Sequence, residues 1–227
     1  MSRSYAYLVL GIAILVVCFG AYYLSNQTPA ESPSMATSTP NASPSEQRIS
    51  ENTDTYTIDA KYPVFGIAPL DAAVKKVVDA SVAEIKSFPA NPPESAASKN
   101  ELTIMYDDVY QGSDIASVEM LVSEYTGGAH PNTVIVGVNV NLATGKELTL
   151  SDALALTGKS LADVAARSKT ELQQKLGDDM FVEGADAKAD NYSSFLVSKD
   201  AVTFVFQSYQ VAAYAAGPQY VAIPRVK

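Results

Sequence analysis

The feature that most constrains this chain is an uninterrupted run of twenty uncharged residues, YAYLVLGIAILVVCFGAYYL, from Tyr5 to Leu24. As a helix rising about 1.5 Å per residue it covers roughly 30 Å, the thickness of a bilayer's hydrocarbon core. Tyr5 and Tyr7 at one end, and Tyr22 and Tyr23 at the other, sit where amphipathic rings favour the interfaces. The run is longer than the apolar stretch of a cleaved secretory signal, and Ala21 lacks a small residue two positions before it, so a retained anchor is expected. Arg3 precedes the run and the next basic residue is Arg48. The positive-inside rule then leaves residues 1–4 in the cytoplasm and places the rest of the chain in an extracellular or periplasmic space.

Residues 25–53 hold 7 Ser, 4 Thr and 4 Pro in 29 positions and no aromatic residue. Such a composition buries too little apolar surface to offset its ordering entropy, which predicts a disordered tether. The apolar periodicity after the span falls within 54–227, which is therefore the working domain.

Charge and rare residues exclude several kinds of work. Sixteen Lys and Arg against 25 Asp and Glu give a net charge of −9, the wrong sign for a protein that neutralises phosphates, so nucleic acid is not an expected partner. One His and one Cys exclude Cys/His zinc clusters and an intramolecular disulfide. No cofactor motif is present and no metal site is expected. The acidic groups Asp107 and Asp108, and Asp178, Asp179, Glu183, Asp186 and Asp190, do not follow calcium-loop spacing and read as solvated loop charges.

Within the domain, Leu70, Val74, Val77, Val78, Val82 and Ile85 recur at helical spacing behind Pro69, and Pro89, Pro92 and Pro93 stop that helix. Leu102 to Tyr106 and Val118 to Val122 alternate on either side of QGSD, which predicts a hairpin. Val134 to Leu142 alternate for nine residues and lead through ATGK to Leu148. A short helix is expected from Ser151 and a longer one from Ser160, whose capping partner is Asp163. GDDMFVEGADAKADN reads as a mobile loop, and strands follow at 195–197, 202–206 and 220–223. The expected fold is α+β, with a mainly antiparallel sheet and two main helices.

Two stretches carry a family resemblance: YTGGAHPNTVIVGVNVNLATGKELTLSDAL at 125–154, and FLVSKDAVTFVFQSYQVAAYAAGPQYVAIP at 195–224. They resemble the extracytoplasmic domain family shared by the lysozyme-sensing anti-sigma factor RsiV and the non-catalytic amino-terminal part of the peptidoglycan deacetylase PdaC. The pattern departs at Ala213, where such proteins lead one to expect proline before the tyrosine. Residues 56–110 resemble the subdomain found upstream, which suggests a division into 54–110 and 111–227. The resemblance implies a binding or sensing module of the cell envelope that recognises lysozyme or peptidoglycan. Only four residues precede the span, so sigma-factor binding is not expected, and one His is too few for the deacetylase's metal chemistry.

The candidate binding residues are Tyr125, Gly127, Gly128, His130, Tyr209, Tyr214 and Gly217. His130 reads chiefly as a structural part of the turn that Gly127 and Gly128 allow; the rival readings of the chain are a wall-polymer hydrolase using His130 as base and a structural envelope protein that binds no ligand. No nucleophile or second base lies near it in sequence, so catalysis is not expected. Tyr209, Tyr214 and Tyr220 fit a recognition surface and sheet packing equally well.

Overall fold

The structure is a computed structural model that describes residues 44–226, apart from 93, 94, 96 and 97. The anticipated membrane span, and most of the tether, lie outside the described residues. Among the described residues no helix is long and apolar enough to cross a membrane.

The first half of the domain is a six-stranded sheet with one helix on it. Strands β1 (Ser45–Asn52), β2 (Tyr56–Val64), β3 (Asn100–Gln111), β4 (Ile115–Tyr125), β5 (Asn132–Asn141) and β6 (Lys146–Glu147) lie side by side in chain order. Every neighbouring pair is antiparallel except β2 and β3, which are parallel and joined through helix α1 (Ala68–Ser87). Parallel strands need such a crossover, because a tight turn cannot reverse the chain twice. Pro69 opens α1, and Asp71 in its first turn accepts the Phe65 N–H at 2.7 Å. The helix buries Leu70, Val74, Val78 and Ile85 against Ile58, Ala60, Leu102, Ile104, Val118, Met120, Val138 and Val140.

Strand β1 corrects the tether. Residues 45–52 pair along their full length with β2, from Ser45 opposite Val64 to Asn52 opposite Thr57. Composition concealed this because an edge strand draws its stability from backbone pairing. Its side chains stay largely exposed, and Arg48 forks onto Asp59 at 2.7 and 2.9 Å. The division expected at residue 110 also fails, since it would cut the β3–β4 hairpin, whose strands pair from Glu101–Tyr125 to Gln111–Ala116.

The second half begins where the six-stranded sheet ends. Helices α2 (Leu150–Thr157) and α3 (Leu161–Leu176) each start on a capping box, Thr149 with Asp152 and Ser160 with Asp163. With α1 these are, among the described residues, the two main helices and the short one that were expected, and α2 is capped by Thr149 instead of starting at Ser151 because Asp152 returns a bond to the Thr149 N–H. A three-stranded antiparallel sheet follows, β7 (Phe195–Val197), β8 (Ala201–Phe206) and β9 (Gln219–Pro224), in the order β7-β8-β9.

The segment read as a mobile loop is built from three short 3-10 turns, at Gly177–Asp179, Val182–Ala185 and Ala189–Tyr192. Met180, Ala185 and Tyr192 are buried in the second core. Tyr192 meets Phe204 and Phe206 edge-on, both at 5.4 Å, and donates its hydroxyl to the Ala185 carbonyl at 2.9 Å. Single apolar residues among acids carry no periodicity, so pattern reading passed over these anchors.

The halves join through polar side chains. Strand β7 is an edge whose free backbone groups face β4 and β5. Asn139 Nδ2 donates to the Phe195 carbonyl at 2.7 Å, and the Val197 N–H reaches Asn139 Oδ1 and Ser117 Oγ, both at 3.1 Å. Ser117 Oγ completes the set by donating to Asn139 Oδ1 at 2.7 Å. Gly137 stands beside them because a Cβ there would run into the Phe195 carbonyl. Ile135, Leu196 and Val205 close a small apolar seam beside this network.

Candidate functional site

Three of the expected residues meet on the surface where the two halves join. The turn 126–131 between β4 and β5 supplies His130, and the segment between β8 and β9 supplies Tyr209 and Tyr214. The His130 and Tyr214 rings stack with centroids 3.7 Å apart and planes 19° from parallel. Tyr209 tilts against both, at 6.0 Å from His130 and 5.4 Å from Tyr214.

Hydrogen bonds fix each ring. His130 Nδ1 lies 2.8 Å from the Pro131 carbonyl, which only accepts, so Nδ1 carries the proton. In the neutral ring Nε2 is then the acceptor, and the Tyr209 hydroxyl 3.1 Å away donates to it. The Tyr214 hydroxyl donates to the same Pro131 carbonyl at 3.0 Å. Both imidazole nitrogens are thus engaged by groups that are neither nucleophiles nor carboxylates.

The backbone around the rings is equally determined. Gln210 N–H bonds the Gln207 carbonyl at 2.9 Å and closes a turn with Tyr209 in its third position. There φ is +68°, a conformation that glycine or asparagine normally takes. Gln207 acts as a false strand on the open edge of β5, accepting from Ile135 N and donating to Ile135 O at 2.9 and 2.8 Å. Gln210 accepts from Gln207 N and donates to the Gly184 and Asn191 carbonyls, all at 2.9 Å. Ala213 holds φ −60° and ψ 155°, a φ that proline also takes, so the departure from the family pattern leaves this residue in a proline-compatible conformation. Gly217, at φ +66°, then ends the 3-10 turn Tyr214–Ala216.

The remaining expected residues support the turn. The Tyr125 hydroxyl donates to the Gly128 carbonyl at 2.8 Å. Gly127 has φ +86°, and a Cβ there would collide with Ser95 Oγ. The tyrosines differ in placement: Tyr209 is 52% exposed, whereas Tyr220 packs against the inter-sheet seam and donates to Glu119 Oε1 at 2.6 Å. Pro131, Gln207 and Gln210 were missed. A Gln-x-x-Gln spacing at the end of an apolar strand was the only available signal.

Acids displaced by burial lie away from the ring cluster. Burial raises the Glu119 carboxyl, the Tyr220 hydroxyl draws it partly back, and Asp108 and Asp107 add to the rise. Burial, with Glu84 nearby, pushes Glu124 up to about 7. Among the described residues no three of His, Cys, Asp and Glu gather as a metal set. Two open depressions, one at Asp114, Leu148 and Leu156 and one at Tyr110, Asp200 and Arg225, share no residue with the cluster.

Known proteins align with both halves. Residues 49–133 match the family model described as Deacetylase PdaC, and 147–225 match the one described as Protein of unknown function (DUF3298). The chain is 26% identical over 176 residues to the Peptidoglycan-N-acetylmuramic acid deacetylase PdaC of Bacillus subtilis strain 168, covering 75% of this chain and 38% of that protein. It is 26% identical over 137 residues to the Immunogenic protein MPT64 of Mycobacterium tuberculosis strain H37Rv, covering 60% of each. It therefore spans less than two thirds of both relatives. A solved DUF3298 family protein from Pseudomonas aeruginosa PAO1 shares the fold at a TM-score of 0.51 and 16% identity, covering 80% of this chain and 90% of that one. His130 falls in the first family match and Tyr209 and Tyr214 in the second, so the ring cluster straddles the two, and the chain is PdaC-like over 49–133 and DUF3298-like over 147–225.

Proposed function

We propose that this chain is a non-catalytic binding module of the cell envelope, held outside the membrane by the apolar run at 5–24, whose contact surface is the His130–Tyr209–Tyr214 cluster. The observation that carries this reading is the exposed Tyr209 ring held at φ +68°. Strain of this kind, about 1–2 kcal/mol for a residue with a Cβ, persists where a site needs it. Engagement of both imidazole nitrogens favours binding over hydrolysis, because a general base needs a free nitrogen within reach of its substrate. The similarity to a deacetylase of peptidoglycan supports a ligand associated with the wall.

The test is co-sedimentation of the full 227-residue chain with purified peptidoglycan. Saturable binding without loss of substrate supports the reading. Release of wall fragments that stops with His130→Ala would replace it by the hydrolase. A second reading, a basic secreted protein such as lysozyme, is favoured by the net charge of −9. Its signature is association that slows steeply as salt rises, since exposed charges are screened beyond about 10 Å at 0.1 M ionic strength.

A further inference from the structure

The cluster has a shape and chemistry that select among ligands. We propose that it is a subsite for one uncharged pyranose unit of a glycan, which lays its C–H face on the open side of Tyr209; this rests on the reading of the chain as a wall-binding module.

Four observations point to this class. First, His130 and Tyr214 spend a ring face on each other, and the most exposed ring is Tyr209, so the free aromatic surface is about one ring wide. A sugar ring fills such a surface, whereas a stable protein interface needs about 800 Å² from each partner. Second, the hydroxyls of Tyr209 and Tyr214 and both imidazole nitrogens are bonded within the protein, which leaves ring faces as what the cluster offers. Third, no charged side chain takes part in the bonds or ring contacts of the three residues, so nothing in the cluster compensates the desolvation of an ionic ligand. Fourth, the rings are locked before the ligand arrives. Gln207 and Gln210 fix the backbone of the Tyr209 turn, so little conformational freedom is lost on contact.

The strain at Tyr209 separates a packing role from a binding one. A tyrosine kept for packing should destabilise the fold when removed. A tyrosine kept for a ligand, in a position glycine would occupy more comfortably, should leave a sounder fold when replaced by glycine. Tyr209→Gly forfeits the His130 bond and the ring contacts but relieves the strained φ, so the Tm is expected not to fall while the contact is abolished.

The experiment titrates the full chain with chitotetraose, a neutral N-acetylglucosamine oligomer, by calorimetry at 0.15 and 1 M NaCl, beside co-sedimentation with purified peptidoglycan. The expected result is saturable binding that changes less than twofold with salt, and that Tyr209→Gly weakens at least tenfold at an unchanged or higher Tm. Phe181 is 41% exposed on the neighbouring turn, where its N–H bonds the Val211 carbonyl at 2.8 Å. Phe181→Ser should leave sugar binding intact. Peptidoglycan binding without chitotetraose binding would overturn the subsite and leave the wall reading standing, whereas absence of both would remove the two together. Sugar binding that survives Tyr209→Gly would overturn the assignment to this cluster. Loss of peptidoglycan binding in Phe181→Ser as well as Tyr209→Gly would make the surface a wider protein-type interface.

Discussion

The two halves of the domain reach stability by different chemistry. The first, β1 to β6 with α1, has an aliphatic core of Ile, Val, Leu, Ala and Met laid between one helix and one sheet face. The second, α2 and α3 with β7 to β9, is centred on rings: Tyr192, Phe195, Phe204 and Phe206. Neither half satisfies its own backbone. The edge of β7 takes its partners from Asn139 and Ser117 of the first half, and the open edge of β5 takes Gln207 of the second. The ring cluster stands on this exchange, because its histidine belongs to one half and its tyrosines to the other.

The contrast between cores predicts the largest effect. Phe204 is fully buried and touches both Tyr192 and Phe195, so Phe204→Ala should cost about 3–5 kcal/mol in urea unfolding. An effect below 1 kcal/mol would show that the second half is not organised around its rings. The exchange of edges comes next. Asn139→Ala strands the Phe195 carbonyl and weakens the hold on Val197 N–H, at about 1–3 kcal/mol for each group left unpaired. Ser117 still reaches Val197, so the lower part of that range applies to the N–H. If the halves were independent, this variant would unfold in two separable transitions, and calorimetry distinguishes the outcomes.

The raised carboxyls, Glu84, Glu119 and Glu124, lie in the first half, whereas lowered ones occur in both, Glu51 and Asp59 in the first among them. In the first, Glu124 is raised to about 7 by burial and by Glu84. In the second, Asp152, Asp163 and Asp186 are lowered, by Thr149, by Ser160 and by Lys169 with Lys188. A raised carboxyl binds its proton more tightly when folded. Its contribution is complete below the unfolded value of about 4.3 and is lost as pH rises through 7. The lowered aspartates contribute in the opposite sense, above the unfolded value near 3.9, and lose it as pH falls through their folded values. Glu124→Gln should therefore stabilise the domain above pH 7 by about 1 kcal/mol, a figure reduced for partial exposure, and should flatten the Tm profile between pH 4.5 and 7. An unchanged profile would place the acid in water. The smallest effect is expected at Ala213, whose φ of −60° already suits proline: Ala213→Pro should raise stability by about 0.4–1 kcal/mol, read as a small upward shift in Tm.

The sequence revealed elements that carry their own period or cap. Helix α1, β5 and the Ser160–Asp163 start of α3 lie within a residue or two of where the pattern puts them, and the β3–β4 hairpin turns where QGSD predicts, though its strands run three to five residues further toward that turn. It concealed elements that depend on a distant partner. Strand β1 is polar because only its backbone is used, and the 3-10 segment is held by single residues such as Tyr192. Asn139 and Gly137 fall at the alternate positions between the valines of β5 and give no local sign of a partner, yet they are where β7 docks. The site was legible in its residue types and in the two stretches that hold them. That His130 and Tyr214, 84 positions apart in sequence, would stack was not, because nothing local encodes a contact between halves.

The central claim is that both halves clamp one imidazole, and its tautomer reports this directly. A ¹⁵N-detected spectrum of the chain's single histidine, recorded at a pH where the ring is neutral, should show Nδ1 protonated and Nε2 as a hydrogen-bond acceptor. Replacing Tyr209 with phenylalanine should shift Nε2 while leaving Nδ1 in place. A ring protonated at Nε2, or averaging between the two tautomers, would mean that the Pro131 and Tyr209 bonds do not hold it, and that the halves present no common surface.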